Sequence, residues 1–127
     1  MDSENSTYAL LGGAEGVRDL VTRFYGFMDQ LPDVLELRRL HPESLERSAD
    51  SLFKFFSGWF GGPSLYIAER GHPRLRMRHF PFSIGELERD QWMKCMRLAL
   101  NEAVVDTKLR SSIEQACASM ANHMVNT

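Results

Sequence analysis

Residues 71–82 read Gly-His-Pro-Arg-Leu-Arg-Met-Arg-His-Phe-Pro-Phe. Pro73 suits the first turn of a short helix, because its missing N–H would have no partner there. Pro81 cannot continue a helix comfortably, so a helix that begins near Pro73 should end close to His79. The pattern therefore predicts one or two helical turns that end at His79, beside apolar neighbours.

His79 has two interpretations on local chemistry alone. A neutral imidazole there can coordinate a metal through one ring nitrogen while a backbone carbonyl holds the other N–H. It can equally be a capping histidine beside a solvated basic face that carries Arg74, Arg76 and Arg78. Because an isolated histidine is a weak sign of a metal ligand, local chemistry favours the capping interpretation.

The composition indicates one domain and excludes several classes of protein. With 127 residues, of which 43% are hydrophobic, we expect a single domain over residues 1–127 with one core. The net charge of −2 gives no broad attraction to nucleic acid or to a membrane. No apolar run approaches the ~20 residues that a membrane span requires. Residues 1–7 are polar, so we expect a mobile terminus and not a signal peptide.

The spacing of apolar residues predicts an all-α fold. Steps of three and four residues indicate four main helices at about 15–31, 44–60, 84–105 and 108–125. Ser83, with Glu86 three residues later, is predicted to cap the third of them. Shorter helical segments are expected at 34–40 and 64–70. Cys95 and Cys117 lie on apolar helix faces and form no Cys-x-x-Cys motif, so we expect buried thiols in a reducing cytoplasm.

Several motifs together resemble the second group of truncated haemoglobins. They are Gly61-Gly62-Pro63, the run 71–79 with Pro81-Phe82, the set Trp92, Cys95 and Met96, and the upstream pairs Phe24-Tyr25 and Leu40-His41-Pro42. The resemblance covers about Tyr8 to Asn126. It implies a globin-like two-on-two helical sandwich around haem b. It also makes His79 the proximal iron ligand, in place of the capping interpretation.

The resemblance further implies which residues face a bound gas ligand. Tyr25 and Trp92 fall beside that ligand, and their O–H and N–H groups are both donors. Ser48 and Leu52 fall where the distal helix approaches the iron, and His41 occupies a corner where many relatives have Tyr or Phe. From position alone, Tyr25 would be a core-edge tyrosine and Trp92 a packing residue. The Ser48 hydroxyl would bond back to its own helix.

His41 leaves three alternatives open. Its imidazole could hydrogen-bond to the ligand or to the hydroxyl of Tyr25, because it can accept as well as donate. It could face the surface without a role. It could also bind iron in the ligand-free protein if the corner flexes inward, although Pro42 restricts the backbone there.

A flat apolar macrocycle needs a slot lined with large, adaptable side chains. The candidates for that slot are Leu52, Phe53, Phe56, Met77, Phe82, Ile84, Trp92, Met96 and Met120. Arg78 and then Arg76 are the candidates for binding the haem propionates. Each is equally well explained as a solvated arginine, since surface ion pairs contribute only about 0–1 kcal/mol.

Three functions are consistent with these residues. The resemblance implies a haem protein that binds O2, NO, CO or peroxide, and two or three donors would slow oxygen release enough to favour reactive oxygen and nitrogen chemistry. That activity, of the NO dioxygenase or peroxidase type, would need an electron-donating reductase. The alternatives are an oxygen store or carrier and a haem-free helical interaction or sensor module. We expect a cytoplasmic monomer or weak homodimer without nucleic-acid or membrane partners; a zinc site of His72, His79 and Cys95 matches no standard motif.

Overall fold

The computed structural model describes residues 5–74, 77, 79 and 82–127. Seven α-helices lie within these residues, with a 3₁₀ turn at Pro32–Val34 between the second and third. They are α1 (Thr7–Leu11), α2 (Gly13–Gln30), α3 (Leu35–Arg39), α4 (Glu46–Trp59), α5 (Leu65–Arg70), α6 (Glu86–Ala103) and α7 (Thr107–Met124). No strand occurs among the described residues, and the all-α prediction is confirmed.

The four main helices of the sequence are α2, α4, α6 and α7, and each end lies within two residues of its predicted position. The predicted cap of α6 is wrong. This helix begins at Glu86 with Gly85 as its N-cap, and the Glu88 carboxylate accepts from the Gly85 N–H at 2.7 Å. Because the helix begins two residues later than expected, Glu88 is the residue that reaches back, and Ser83 and Glu86 do not form the pair.

The main helices pack as two pairs around one core. Helix α2 packs against α4 and α6, and α6 packs against α7. Side chains with less than 2% exposure come from all four helices, and they include Leu20, Phe24, Met28, Phe56, Met96, Leu100 and Ile113. Among the described residues, every helix is too short or too polar to cross a bilayer.

Helix α1 covers the end of α4, and a glycine makes this possible. The Ser6 hydroxyl accepts from the Ala9 N–H at 3.0 Å, and the Tyr8 N–H donates to the Phe60 carbonyl at 2.8 Å. A Cβ on Gly62 would lie 2.4 Å from the Tyr8 ring, so only glycine permits this approach. The segment 1–7, which we expected to be mobile, therefore ends in ordered structure, since Thr7 begins α1. Residues 1–4 lie outside the described part.

Gln91 connects α6 to α3 through the interior. It is a buried polar residue with 7% exposure. Its Oε1 accepts from the Leu37 N–H at 2.9 Å, and its Nε2 donates to the Glu36 carboxylate at 2.8 Å. Helix α3 leads directly into the corner that carries His41, so Gln91 fixes the position of that corner relative to α6.

We predict that Gln91→Leu lowers the free energy of unfolding by about 1–3 kcal/mol, because the buried Leu37 N–H loses its acceptor. Urea denaturation measures this change. Gln115→Leu is the matched control: Gln115 is exposed and bonds only to the Ser111 hydroxyl among the described residues, so its replacement should change stability by less than about 0.5 kcal/mol. Equal effects of the two changes would show that Gln91 has no special role.

Candidate functional site

A cavity of about 370 Å³ lies between the main helices and the segment that precedes α6. This volume falls in the range of small-molecule and cofactor sites. Nine of the residues predicted for the site line it. They are Tyr25, His41, Ser48, Leu52, His79, Phe82, Ile84, Trp92 and Met120.

Four other predicted pocket residues do not line the cavity. Phe53, Phe56 and Met96 belong to the hydrophobic core, with exposures of 7%, 0% and 0%. The Arg18 guanidinium lies 4.0 Å from the centre of the Phe53 ring, and neither residue lines the cavity. Met77 is 59% exposed. Arg76 and Arg78, predicted to bind propionates, lie outside the described residues.

Helix α4 presents one stripe to the cavity and another to the core. The cavity stripe consists of Ser48, Ser51, Leu52 and Phe55, at the spacing of a single helix face. Phe53 and Phe56 belong to the neighbouring face and pack inward. Of the residues predicted for the site on α4, Ser48 and Leu52 lie on the cavity face and Phe53 and Phe56 do not. Ser51 and Phe55 line the cavity and were not among the residues predicted for it.

Tyr25 brings a hydroxyl donor to the cavity wall. Its hydroxyl donates to the backbone carbonyl of Ser48 at 3.3 Å. Burial raises the pKa of Tyr25 well above its ordinary value of 10.0, so the phenol keeps its proton at any physiological pH. Since 3.3 Å is long for an O–H···O bond, the hydroxyl can turn toward a ligand at small cost.

Trp92 supplies a second donor to the same cavity. Its ring packs against the buried Phe24 ring with a centroid distance of 5.0 Å. The indole N–H has no hydrogen-bond partner among the described residues, yet no buried side-chain nitrogen or oxygen there is left unsatisfied. Trp92 is half-buried and lines the cavity, so its indole N–H is a candidate donor to a ligand there.

His41 lies half-buried in the cavity wall, edge-on to Tyr25, with 6.1 Å between the ring centroids. Its Nδ1 lies 3.0 Å from the Leu37 carbonyl oxygen. A carbonyl only accepts, so Nδ1 carries the proton and Nε2 of the neutral ring is an acceptor. Burial lowers the pKa of His41 below its usual value of 6.5, and the charges of Arg38 and His79 act in the same direction, while the Leu37 carbonyl acts against them.

Two arginines that sequence reasoning did not select also line the cavity. Arg47, at the start of α4, is exposed and has no hydrogen-bond or ion-pair partner among the described residues. Arg89, on α6, bonds to the carboxylate of Asp90 and to the Asn122 side chain. Of the two arginines that line the cavity in the described part of the chain, Arg47 is the one whose guanidinium can still pair with an acidic group.

The lining fits an iron macrocycle better than a bare metal ion. Among the described residues, no three His, Cys, Asp or Glu side chains cluster as metal ligands, which removes the zinc alternative. The cavity instead combines two half-buried imidazoles, those of His41 and His79, with mainly apolar walls and a cation. Those are the groups that a haem requires: an axial nitrogen, apolar contact for the ring and a charge for a propionate.

Comparison with known proteins gives the same result for the whole chain. The model of the bacterial-like globin family matches residues 6–126. A group 2 truncated haemoglobin of Bacillus subtilis is 34% identical over 124 residues, which cover 98% of this chain and 91% of that protein.

Solved structures agree closely with this fold. The cold-adapted truncated haemoglobin of the Antarctic marine bacterium Pseudoalteromonas haloplanktis is 41% identical with a TM-score of 0.95, over 97% of this chain and 99% of that one. The group II two-on-two haemoglobin of the plant pathogen Agrobacterium tumefaciens has the same identity, 41%, and the same TM-score, 0.95, over 99% and 98% of the two chains. The chain therefore belongs to the bacterial-like globins and, within them, to the second group of truncated haemoglobins, which bind haem and small gas ligands.

Proposed function

We propose that this chain holds haem b through His79 and retains oxygen with Tyr25 and Trp92, for chemistry on reactive oxygen or nitrogen species. One observation carries the proposal. Two protonated donors, of which one is weakly bonded and the other has no partner among the described residues, line the same cavity as the half-buried His79.

When bound, the haem supplies an iron atom that takes a diatomic ligand. His79 is the residue that would coordinate it, without covalent attachment of the porphyrin, because neither cysteine belongs to a Cys-x-x-Cys-His motif. Burial raises the pKa of Cys95 to about 11 and that of Cys117 to about 12, so neither thiol competes as a thiolate ligand.

Arg47 would pair with a haem propionate. It lines the cavity from the exposed start of α4, and its guanidinium is not committed to another described residue. Arg76 and Arg78 remain proposals of the same kind, based on their positions next to His79. The apolar walls from Leu52, Phe55 and Ile84 would exclude water from the ring.

The two donors would make oxygen leave slowly. If each contributes about 1–1.5 kcal/mol to holding the ligand, together they slow its release by roughly a hundredfold. The truncated haemoglobin of Bacillus subtilis, 34% identical in its solved structure, is described as oxygen-avid. Slow release is unsuited to oxygen delivery and suits turnover with nitric oxide or peroxide, for which a reductase would restore the iron. Measuring the oxygen off-rate together with nitric oxide and peroxide turnover tests this choice.

His41 would act on Tyr25. Because Nδ1–H is held by the Leu37 carbonyl, the free Nε2 of the neutral ring can accept the hydroxyl proton of Tyr25 in a hydrogen bond. Because a phenol has a single proton, this bond would be an alternative to donation from Tyr25 to a bound ligand. Direct donation to a ligand would require His41 to be protonated, which its burial opposes.

We predict that His79→Gly purifies without a normal haem spectrum and fails to bind CO, and that added imidazole restores both. The reason is the loss of the axial nitrogen. His72→Gly is the control, since His72 is exposed and does not line the cavity. A normal spectrum for His79→Gly without imidazole would overturn the assignment of the ligand.

We predict that Trp92→Phe speeds oxygen release roughly tenfold, which corresponds to one donor of about 1.4 kcal/mol. Tyr25→Phe should act in the same direction, and the double variant should be non-additive because both donors address one ligand. Stopped-flow displacement of oxygen by CO gives the rates. Trp59→Phe is the matched control, since Trp59 is 39% exposed and lies outside the cavity lining. An unchanged rate in Trp92→Phe would leave Trp92 a packing residue.

The pKa shift of His41 predicts how the stability of the haem-free protein depends on pH. Since this pKa is lowered on folding, the unfolded state binds the proton more readily, and stability is lost as the pH falls below 6.5. His41→Asn keeps a donor for the Leu37 carbonyl but does not titrate. Between about pH 7.5 and pH 5 it should therefore lose less stability than the wild type. His72→Asn, at an exposed position, should keep the wild-type dependence, and identical profiles for all three proteins would contradict the prediction.

A further inference from the structure

The segment that carries His79 is tied to the residues that follow α7. Asn126 lies two residues beyond the end of this helix at Met124. Its side-chain Oδ1 accepts from the Ile84 N–H at 2.9 Å, and its Nδ2 donates to the Phe82 carbonyl at 3.0 Å. A longer contact of 3.4 Å joins the same Nδ2 to the His79 carbonyl.

The backbone completes this connection, which we call the Asn126 clasp. The Asn126 N–H donates to the Ile84 carbonyl at 2.8 Å, so Asn126 satisfies both the N–H and the C=O of Ile84. A side-chain amide is required for the full set of bonds, because its oxygen only accepts and its nitrogen only donates. A carboxylate would keep the bond from Ile84 but would place a second acceptor against the Phe82 and His79 carbonyls.

The clasped residues are the ones that form this wall of the cavity. His79, Phe82 and Ile84 all line it. Two more backbone hydrogen bonds involve these residues: the Thr127 N–H donates to the Ile84 carbonyl at 3.3 Å, and the Phe82 N–H donates to the His79 carbonyl at 2.9 Å. The Asn126 clasp, with the longer Thr127 bond beside it, therefore joins this wall to the segment that follows α7.

We propose that Asn126 is a positioning residue for the proximal histidine: it fixes the backbone at His79, Phe82 and Ile84 and thereby the direction of the His79 imidazole. This inference rests on the proposed role of His79 as the iron ligand. Groups that hold a metal ligand in place commonly change metal affinity 10–100-fold when they are removed. The clasp would act in this way through the backbone of His79 and not by touching the haem.

Two variants separate the parts of the clasp. Asn126→Ala removes all of its side-chain bonds, whereas Asn126→Asp keeps the acceptor for Ile84 and removes the donor to Phe82 and His79. We expect both to speed haem loss to an acceptor apoglobin roughly tenfold. Both should also shift the iron–histidine stretching band of the ferrous, ligand-free protein in resonance Raman spectra. A purely structural role would lower stability without moving that band.

Hydrogen exchange in the haem-free protein provides a readout that does not depend on the cofactor. The Ile84 amide should exchange faster in Asn126→Ala and keep its protection in Asn126→Asp. Asn101→Ala is the matched control, because Asn101 is exposed on α6 and does not line the cavity. It should leave haem loss, the Raman band and Ile84 exchange unchanged.

The possible outcomes are distinct. If the haem-loaded variants have the wild-type rate of haem loss and the wild-type Raman band, Asn126 does not position His79, and the proposed function is unaffected. A wild-type protein that binds no haem, or binds it without His79, would overturn the proposed function and with it the positioning role. If Asn126→Ala does not fold, Asn126→Asp decides the question, since it keeps the bond to Ile84.

Discussion

Phe24 connects the hydrophobic core to the cavity, because its ring packs against both Tyr25 and Trp92. Its side chain is fully buried, with 0% exposure, between helices α2, α4 and α6. Its ring lies edge-on to Tyr25 with a centroid distance of 4.9 Å and tilted against Trp92 with a distance of 5.0 Å. Aromatic pairs at these distances are stabilised by ring electrostatics in addition to burial. The two donor side chains of the cavity therefore pack against one and the same buried side chain of the core.

The sequence predicted the main helices and most of the cavity, but it could not orient α4. Phe53, Phe55, Phe56 and Trp59 form one broad aromatic face that covers about half of the circumference of that helix. An amphipathic pattern separates the apolar face of a helix from its polar face, but it does not separate one part of a broad apolar face from another. Here one part of that face covers the core and another lines a cavity, and both need large apolar side chains. Only packing against α2, seen in the structure, separates Phe53 and Phe56 from Phe55.

The roles of the polar residues Gln91 and Asn126 were not predicted, for a different reason. Gln91 bonds to Leu37 across 54 residues of sequence, and Asn126 bonds to Ile84 across 42. In each case the partner is a backbone group, which carries no side-chain signature in the sequence. Asn and Gln are also ordinary surface residues, so nothing local marks these two. The resemblance to the family, in contrast, selected His79, Tyr25 and Trp92 because each belongs to a short motif of distinctive residues, and all three line the cavity.

The hydrogen bonds of the cavity explain why its donors are suited to hold a ligand. A donor that must break a strong internal hydrogen bond before it reaches a ligand contributes to ligand binding only the difference in free energy between the two bonds. Tyr25 gives up a long bond of 3.3 Å to the Ser48 carbonyl, and Trp92 gives up none among the described residues. His41, in contrast, is held at 3.0 Å by the Leu37 carbonyl and is left as an acceptor. The cavity therefore has two donors that can reach a ligand at low cost, and one acceptor, His41 Nε2, that would compete with the ligand for the proton of Tyr25. Because these side chains are oriented by Phe24 and by the Leu37 peptide, little conformational entropy remains to be lost when a ligand binds.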